Sequence, residues 1–420
     1  MSRSSSLQTL RRIALVSASI LLMVSCAWSA SYKVLYGFGG TNATPSSGLV
    51  FDSQGNAYGT TSAGGLNEAG TVYELSPTTG YHLLFKFGKS IAGGAYPLGN
   101  LALDSAGNLY GTTLAGGIER NCCGVVFELS PSSNGGLWTE TVLHTFCADR
   151  KRGCPDGEEP AAGVIFDTAG NLYGTTEGGG SHGTVFELSP NSGGWTETVL
   201  YDFGATEDGL GIPASALIFD STGNLYGTTE RGETALGGTF FELSPAGVSW
   251  AETILYQFGS VNNDGAELLA GVVFDLVGNL YGTTQKGGDP SCSQGVGCGT
   301  VFVLTPTVGG SWSETILHSF DGTDGNLPQA AVVLDPSGSV YGTAFVGGTR
   351  GCYNTLGCGT VFKLTQGVGG VWAESVYRFP NQSSGSNPMA PLTLDSSGNV
   401  YGTTTTGGPR GGGVAFRITQ

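Results

Sequence analysis

Short apolar runs broken by turn residues repeat along almost the whole chain. One stretch reads AGVIFD (162–167), the turn TAGN, LYGTT (172–176), a Gly-rich loop, GTVFELSP (183–190) and WTETVLYDF (195–203). Each run is brief, rich in β-branched and aromatic residues and bounded by Gly, Asn, Asp or Pro, so each predicts a strand. The phrase GNLYGTT stands at 107–113, 170–176, 223–229 and 278–284, with looser copies at 55–61, 338–344 and 398–404. The aspartates heading these phrases are Asp52, Asp104, Asp167, Asp220, Asp275, Asp335 and Asp395, at spacings of 52, 63, 53, 55, 60 and 60 residues. Four strands per repeat at this period predict the blades of a β-propeller.

The chain ends sharpen that expectation. The unit beginning at Asp395 has its third strand at VAFRIT (414–419) and no fourth, while YKVLYGF (32–38) matches the fourth strands WTETVLHTF (138–146) and WAETILYQF (250–258). The all-β fold expected is a seven-bladed propeller closed by the N-terminal strand pairing with the last blade, which removes an open sheet edge. The repeated phrase is then a structural corner. Its Asp accepts turn amides, its first Gly takes a left-handed position, its Tyr packs between blades, its second Gly permits close backbone approach, and its Thr pair suits a strand.

Composition agrees. Gly is abundant at 73 residues and charged residues make up 12%, which disfavours long helices. The first thirty residues stand apart: Arg3, Arg11 and Arg12 precede an apolar run from Ile13 to Val24 and then small residues, the layout of a signal peptide. Cleavage is expected after Ala27 or Ala30, or before Cys26 if the chain is lipidated, leaving residues 31–420 as a single propeller domain. Removing the segment, with three Arg and no acid, shifts the formal charge from −16 to −19. An acidic surface repels phosphate backbones, so nucleic acid is not an expected partner. No further apolar stretch is long enough to span a bilayer, and a secreted or surface-held monomer is expected.

The Y-x-F strand, the D-x-x-G-N-x-Y-G-T-T hairpin and the G-T-V-F-x-L-x-P strand resemble those of the bacterial GloVer tandem-repeat family. The resemblance runs from Tyr32 to the end and implies an exported propeller-like array, often with a variable C-terminal anchor. It implies no activity. Here the last repeat ends at Gln420, so if the chain is anchored at all, Cys26 is the expected means.

Export makes disulfides of the eight remaining cysteines plausible. Cys292 with Cys298 and Cys352 with Cys358 flank equivalent loops, and Cys147 with Cys154 closes CADRKRGC. Cys122 and Cys123 are adjacent; a bridge between neighbours is strained, and pairing with Cys147 and Cys154 is the alternative. Without His partners at finger-like spacing, neither zinc nor another metal is expected, and no cofactor is implied.

The long, variable loops, such as QKGGDPSCSQGVGCG and CADRKRGCPDGEEP, fall on one face of a propeller, where a partner is expected to bind. On that face Glu177, His182, Glu230, Arg231, Gln285 and Lys286 are candidates for a ligand-binding rim. His82, His144 and His318 lie in fourth strands and read as structural. Asp156, Asp208, Asp264 and Asp324 each precede Gly in a loop between blades, and read as turn formers on separate blades rather than ligands of one calcium ion. The WxE strand starts, such as Trp195 to Glu197 and Trp312 to Glu314, read as rim packing. The expected role is binding of a glycan or protein outside the cytoplasm. The alternatives are a polysaccharide hydrolase or lyase using His182, Glu177 and Glu230, and a structural surface protein with no ligand.

Overall fold

A computed structural model describes residues 30–420 except 40–42, 89, 91, 120–121, 149, 205–210, 231–236, 248, 260–263, 350 and 353–355. It is a seven-bladed β-propeller of four-stranded antiparallel blades. In the third repeat the strands Ile165–Phe166, Leu172–Thr176, Thr184–Asn191 and Gly194–Asp202 lie side by side in chain order, from the ring's centre outward. Blade seven takes its fourth strand from the other end of the chain. Ser31–Gly39 pairs antiparallel with Gly411–Thr419, with Tyr32 opposite Ile418 and Val34 opposite Phe416.

The repeated phrase builds the corner expected of it. Asp52 Oδ1 accepts the amides of Gln54 and Asn56 at 2.8 and 2.9 Å, and its Oδ2 accepts the Asn56 amide side chain at 2.8 Å. The turn glycine Gly55 has φ 83°, where a side chain is strained. Burial alone would lift the corner carboxyls. The turn hydrogen bonds outweigh it and hold Asp52, Asp167, Asp220, Asp335 and Asp395 below their ordinary range. The tyrosine two residues past the Asn donates its hydroxyl back to the same Asp, as Tyr58 does to Asp52 at 3.1 Å. Its ring meets the first-strand Phe of the next blade edge to face, as Tyr110 meets Phe166 and Tyr173 meets Phe219. Across the closure Tyr401 meets Phe51 in the same way.

The second glycine of the phrase makes room for an aromatic ring, not for backbone. A Cβ on Gly111 would lie 2.7 Å from the ring of Phe127, which faces it on the third strand. The first Thr of each pair stitches blades together. Thr112, Thr175, Thr228, Thr283 and Thr343 donate to the carbonyls of Ala162, Ser215, Ala270, Ala330 and Ala390, each in the next blade's innermost segment. Thr60 reaches Pro97, and Thr403 closes the circle at Ser47. The second Thr commonly pairs with the Thr opening the third strand, as Thr176 does with Thr184 at 2.9 Å.

Two blades break these rules. In blade one the ring facing the glycine is Tyr73, whose buried hydroxyl finds no partner among the described residues. In blade six Ala344 stands where others have Thr, and the buried Thr360 hydroxyl has no partner there either. An unpaired buried hydroxyl costs on the order of 1–3 kcal/mol. Tyr73→Phe, matching the Phe of six blades, and Ala344→Thr, restoring the Thr pair, are therefore each expected to raise stability by about 1 kcal/mol. Denaturant midpoints of the single variants and their sum test this. An unchanged or lower midpoint for both contradicts it.

Candidate ligand-binding channel

Seven innermost segments converge on the axis, and little side chain fits between them. A Cβ on Gly99 would fall 2.3 Å from the Gly163 amide nitrogen, and one on Gly163 would fall 2.2 Å from the Asn100 carbonyl. The channel they enclose holds about 350 Å³ and is lined by residues such as Ser46, Ala162, Ser215, Ala270 and Ala330. Larger residues such as Leu98, Leu269, Gln329 and Met389 also line it, and Glu177 is its one ionisable lining group among the described residues.

The channel mouth on the loop-bearing face is built from an unusual backbone. Tyr96, Glu159, Glu267, Leu327 and Asn387, at equivalent places in five blades, have φ of 60, 59, 59, 57 and 60°. Side-chain-bearing residues rarely adopt that region, and Pro follows in four of these cases. The conformation persists because backbone bonds hold these residues on both sides. The Glu159 amide donates to the Cys123 carbonyl at 2.9 Å, while its own carbonyl accepts from Glu177 N at 3.2 Å. Leu327 is held the same way by Cys298 and Phe345, and Asn387 by Cys358 and Thr405. The carbonyls that hold these three rim residues therefore belong to disulfide cysteines.

The bridges are Cys122–Cys123, Cys147–Cys154, Cys292–Cys298 and Cys352–Cys358. The adjacent pair joins to itself, so the alternative pairing with Cys147 and Cys154 does not occur. The reason is local. Gly116 N donates to Cys122 O and Gly124 N to Gly116 O, folding this loop as its counterparts in blades five and six are folded, and both cysteines stay within it.

The candidate rim residues divide into three places. Glu177 faces the channel, and burial, with Glu159 and Glu230 nearby, pushes its carboxyl up to about 7. Glu230 follows the second strand of the next blade, its amide bonded to Ile212 O at 2.8 Å. Lys286 is ion-paired with Glu267, while the Gln285 amide donates to Glu267 O at 3.0 Å. His182 packs toward the end of the fourth strand, its Nδ1 2.3 Å from where a Gly204 Cβ would sit, and is not among the channel-lining residues. Its Nδ1 is buried without a partner among the described residues. Arg231 lies outside the described residues. The rim is thus acidic at blades three and four, whereas the residues equivalent to Glu177 are Leu114 in blade two, Gln285 in blade five and Phe345 in blade six. The small channel-lining segments escaped sequence reasoning. Their signal was the Pro-x-small run before six of the seven first strands, as in PAAGVIF and PASALIF.

The aspartates read as turn formers do something else. Asp156 accepts the amide of Cys147, nine residues earlier, and Asp324 that of Asp321, so both reach back toward the fourth strand instead of capping the following turn. Their other oxygens enter the seam with the next blade, meeting His144 at 3.2 Å and His318 at 2.9 Å. Asp264 is nearly fully buried, and Asp208 lies outside the described residues. The WxE tryptophans pack across blades as expected: Trp138 lies 6.2 Å from Tyr58 and Trp312 5.7 Å from Phe240, centroid to centroid.

Fold and channel define a disulfide-bonded β-propeller of tandem repeats. The Gloeobacter/Verrucomicrobia repeat family model matches residues 24–155, 141–356 and 299–420, and the chain belongs to that family. No curated protein matches the chain. Among solved structures, a protein of Thermus thermophilus, provisionally described as an oxidoreductase (glucose dehydrogenase), is similar at 14% identity and a TM-score of 0.39. The match covers 93% of this chain and 100% of that one.

The raised Glu177 carboxyl has a stability consequence. A folded pKa of about 7, above the unfolded value, contributes stability that is complete below the ordinary carboxylate range and lost as pH rises through about 7. Glu177→Gln is expected to be more stable than the parent at about pH 8, by about 2 kcal/mol, with the difference vanishing near pH 4. Denaturant midpoints across that range check it; a pH-independent difference contradicts it.

Proposed function

We propose that the protein is an exported binding module that takes a glycan at the channel mouth of the loop-bearing face. The supporting observation is the placement of Glu177, one titratable carboxyl against a channel of small residues, with Glu159 and Glu230 beside it. A carboxyl balanced near neutrality accepts from sugar hydroxyls in one state and donates in the other. A pocket with few polar groups set in a mostly small, apolar wall is the usual form of a small-ligand site. Four disulfides and the signal-like N-terminal segment support a location outside the cytoplasm.

Isothermal titration of the mature chain with a panel of cell-wall and plant oligosaccharides tests this reading. At least one is expected to bind saturably, and Glu177→Gln to weaken it about 10- to 100-fold, the loss of one charged hydrogen bond. Cleaved sugar in the binding mixture would convert the role to hydrolysis or lysis at Glu177 and Glu230. A panel without binding, or a substitution without effect, overturns the glycan reading and leaves a protein partner or a purely structural role.

A further inference from the structure

The outer seams between blades hold the molecule's other concentration of titratable groups. At three of them, a fourth-strand Tyr or His, the aspartate of the loop leading to the next blade and the WxE glutamate of that blade come together. Between blades three and four Tyr201 donates to Glu252 at 2.6 Å, and between blades four and five Tyr256 donates to Glu314 at 3.3 Å. Two seams have histidine in the tyrosine's place: His144 with Asp156 and Glu197, and His318 with Asp324 and Glu374.

We propose that the seam between blades five and six is a binding site for a first-row divalent cation, held by His318 Nε2, Asp324 Oδ2 and Glu374 Oε1. The nitrogen lies 2.9 Å from the Asp324 oxygen and 3.3 Å from the Glu374 oxygen, and three such ligand atoms lie within 4.8 Å of one another. Ligands bound about 2.0–2.2 Å from one ion sit roughly 3 Å or slightly more apart, so small rotamer changes bring all three onto a common centre. A hydrogen bond accounts for only part of the arrangement. His318 Nε2 carries at most one proton, aligned with Asp324, and the buried Glu374 Oε1 receives no hydrogen bond among the described residues. Two carboxylates thus converge on one nitrogen, and one buried oxygen is left over. A cation uses the nitrogen lone pair and both carboxylates at once.

The ligands are also held from behind. Asp324 Oδ1 accepts the Asp321 amide at 2.9 Å, which leaves Oδ2 turned into the seam. The His318 ring stands edge to face on Phe320 at 4.8 Å. Such outer contacts orient metal ligands. The three side chains are 20, 11 and 19% exposed, open enough for an ion to enter and for water to complete its coordination. One imidazole with two carboxylates suits Zn²⁺ or Mn²⁺ better than Ca²⁺ or Mg²⁺, which favour all-oxygen sets. The ion would staple two blades at the ring's outer edge, away from the channel site.

The test uses the full mature chain, free of any tag, stripped with EDTA and dialysed. Titration with ZnCl₂ is expected to show saturable binding and a rise in melting temperature that CaCl₂ does not reproduce. His318→Gln, which keeps a donor for Asp324, is expected to weaken the Zn²⁺ affinity of this site at least 100-fold and to lower the stoichiometry by one. Glu374→Gln is expected to weaken it about 10-fold or more. Co²⁺ added to the unsubstituted protein provides a readout independent of any variant, a visible absorption band displaced by Zn²⁺. No Zn²⁺ binding at millimolar concentration, an equal response to Ca²⁺, or an unchanged stoichiometry in both variants overturns the proposal.

Discussion

A threonine hydroxyl bonded to a carbonyl of the next blade, repeated around the ring, is the interaction on which the architecture rests. Each bond joins a second strand to the neighbour's innermost segment, where the seven segments meet. A carbonyl buried there without a donor would be costly, so the Thr satisfies a group that the strand ladders leave open. Thr403 to Ser47 makes the set continuous across the closure, together with Thr393 to Leu49. Because these bonds draw the blades together at the axis, the lining must be mostly Gly, Ala or Ser, and a narrow channel of small residues follows.

Seven-fold repetition makes a neutral frame; departures from it make chemistry. The corner Asp, Tyr and Gly barely vary, since each satisfies the same turn and the same interblade packing. The residues past the second strand have no such duty and differ from blade to blade: Leu114, Glu177, Glu230, Gln285, Phe345. Backbone bonds from the disulfide-bearing loops hold the rim in a left-handed conformation, so these varied side chains are presented on a rigid circle. Disulfides thereby act on the channel mouth as well as on overall stability.

The seams at the outer edge follow another logic. Strand four ends close to the WxE strand of the next blade, and two acids with one Tyr or His meet where water only partly reaches. Burial there lifts carboxyls such as Glu197 and Glu374, to about 7 each. An imidazole and a phenol are equivalent as spacers but not as ligands, which separates the two kinds of seam chemically.

The sequence alone determined the blade count, the four strands and the closure, because strand and turn preferences are local and repeat at a fixed period. It also determined the corner chemistry, since Asp, Gly, Asn and Tyr interact within seven residues of one another. Three of the disulfides were legible as loop closures for the same reason; the join of Cys122 to Cys123 depended on how its loop is pinned. What the tertiary structure alone decided is everything that crosses from blade to blade. Glu177 meets Glu230 across 53 positions, His318 meets Glu374 across 56, and His182 turns away from a rim its loop position suggested. Spacing along the chain carries no record of the ring's curvature, and that curvature sets which neighbouring side chains share a site.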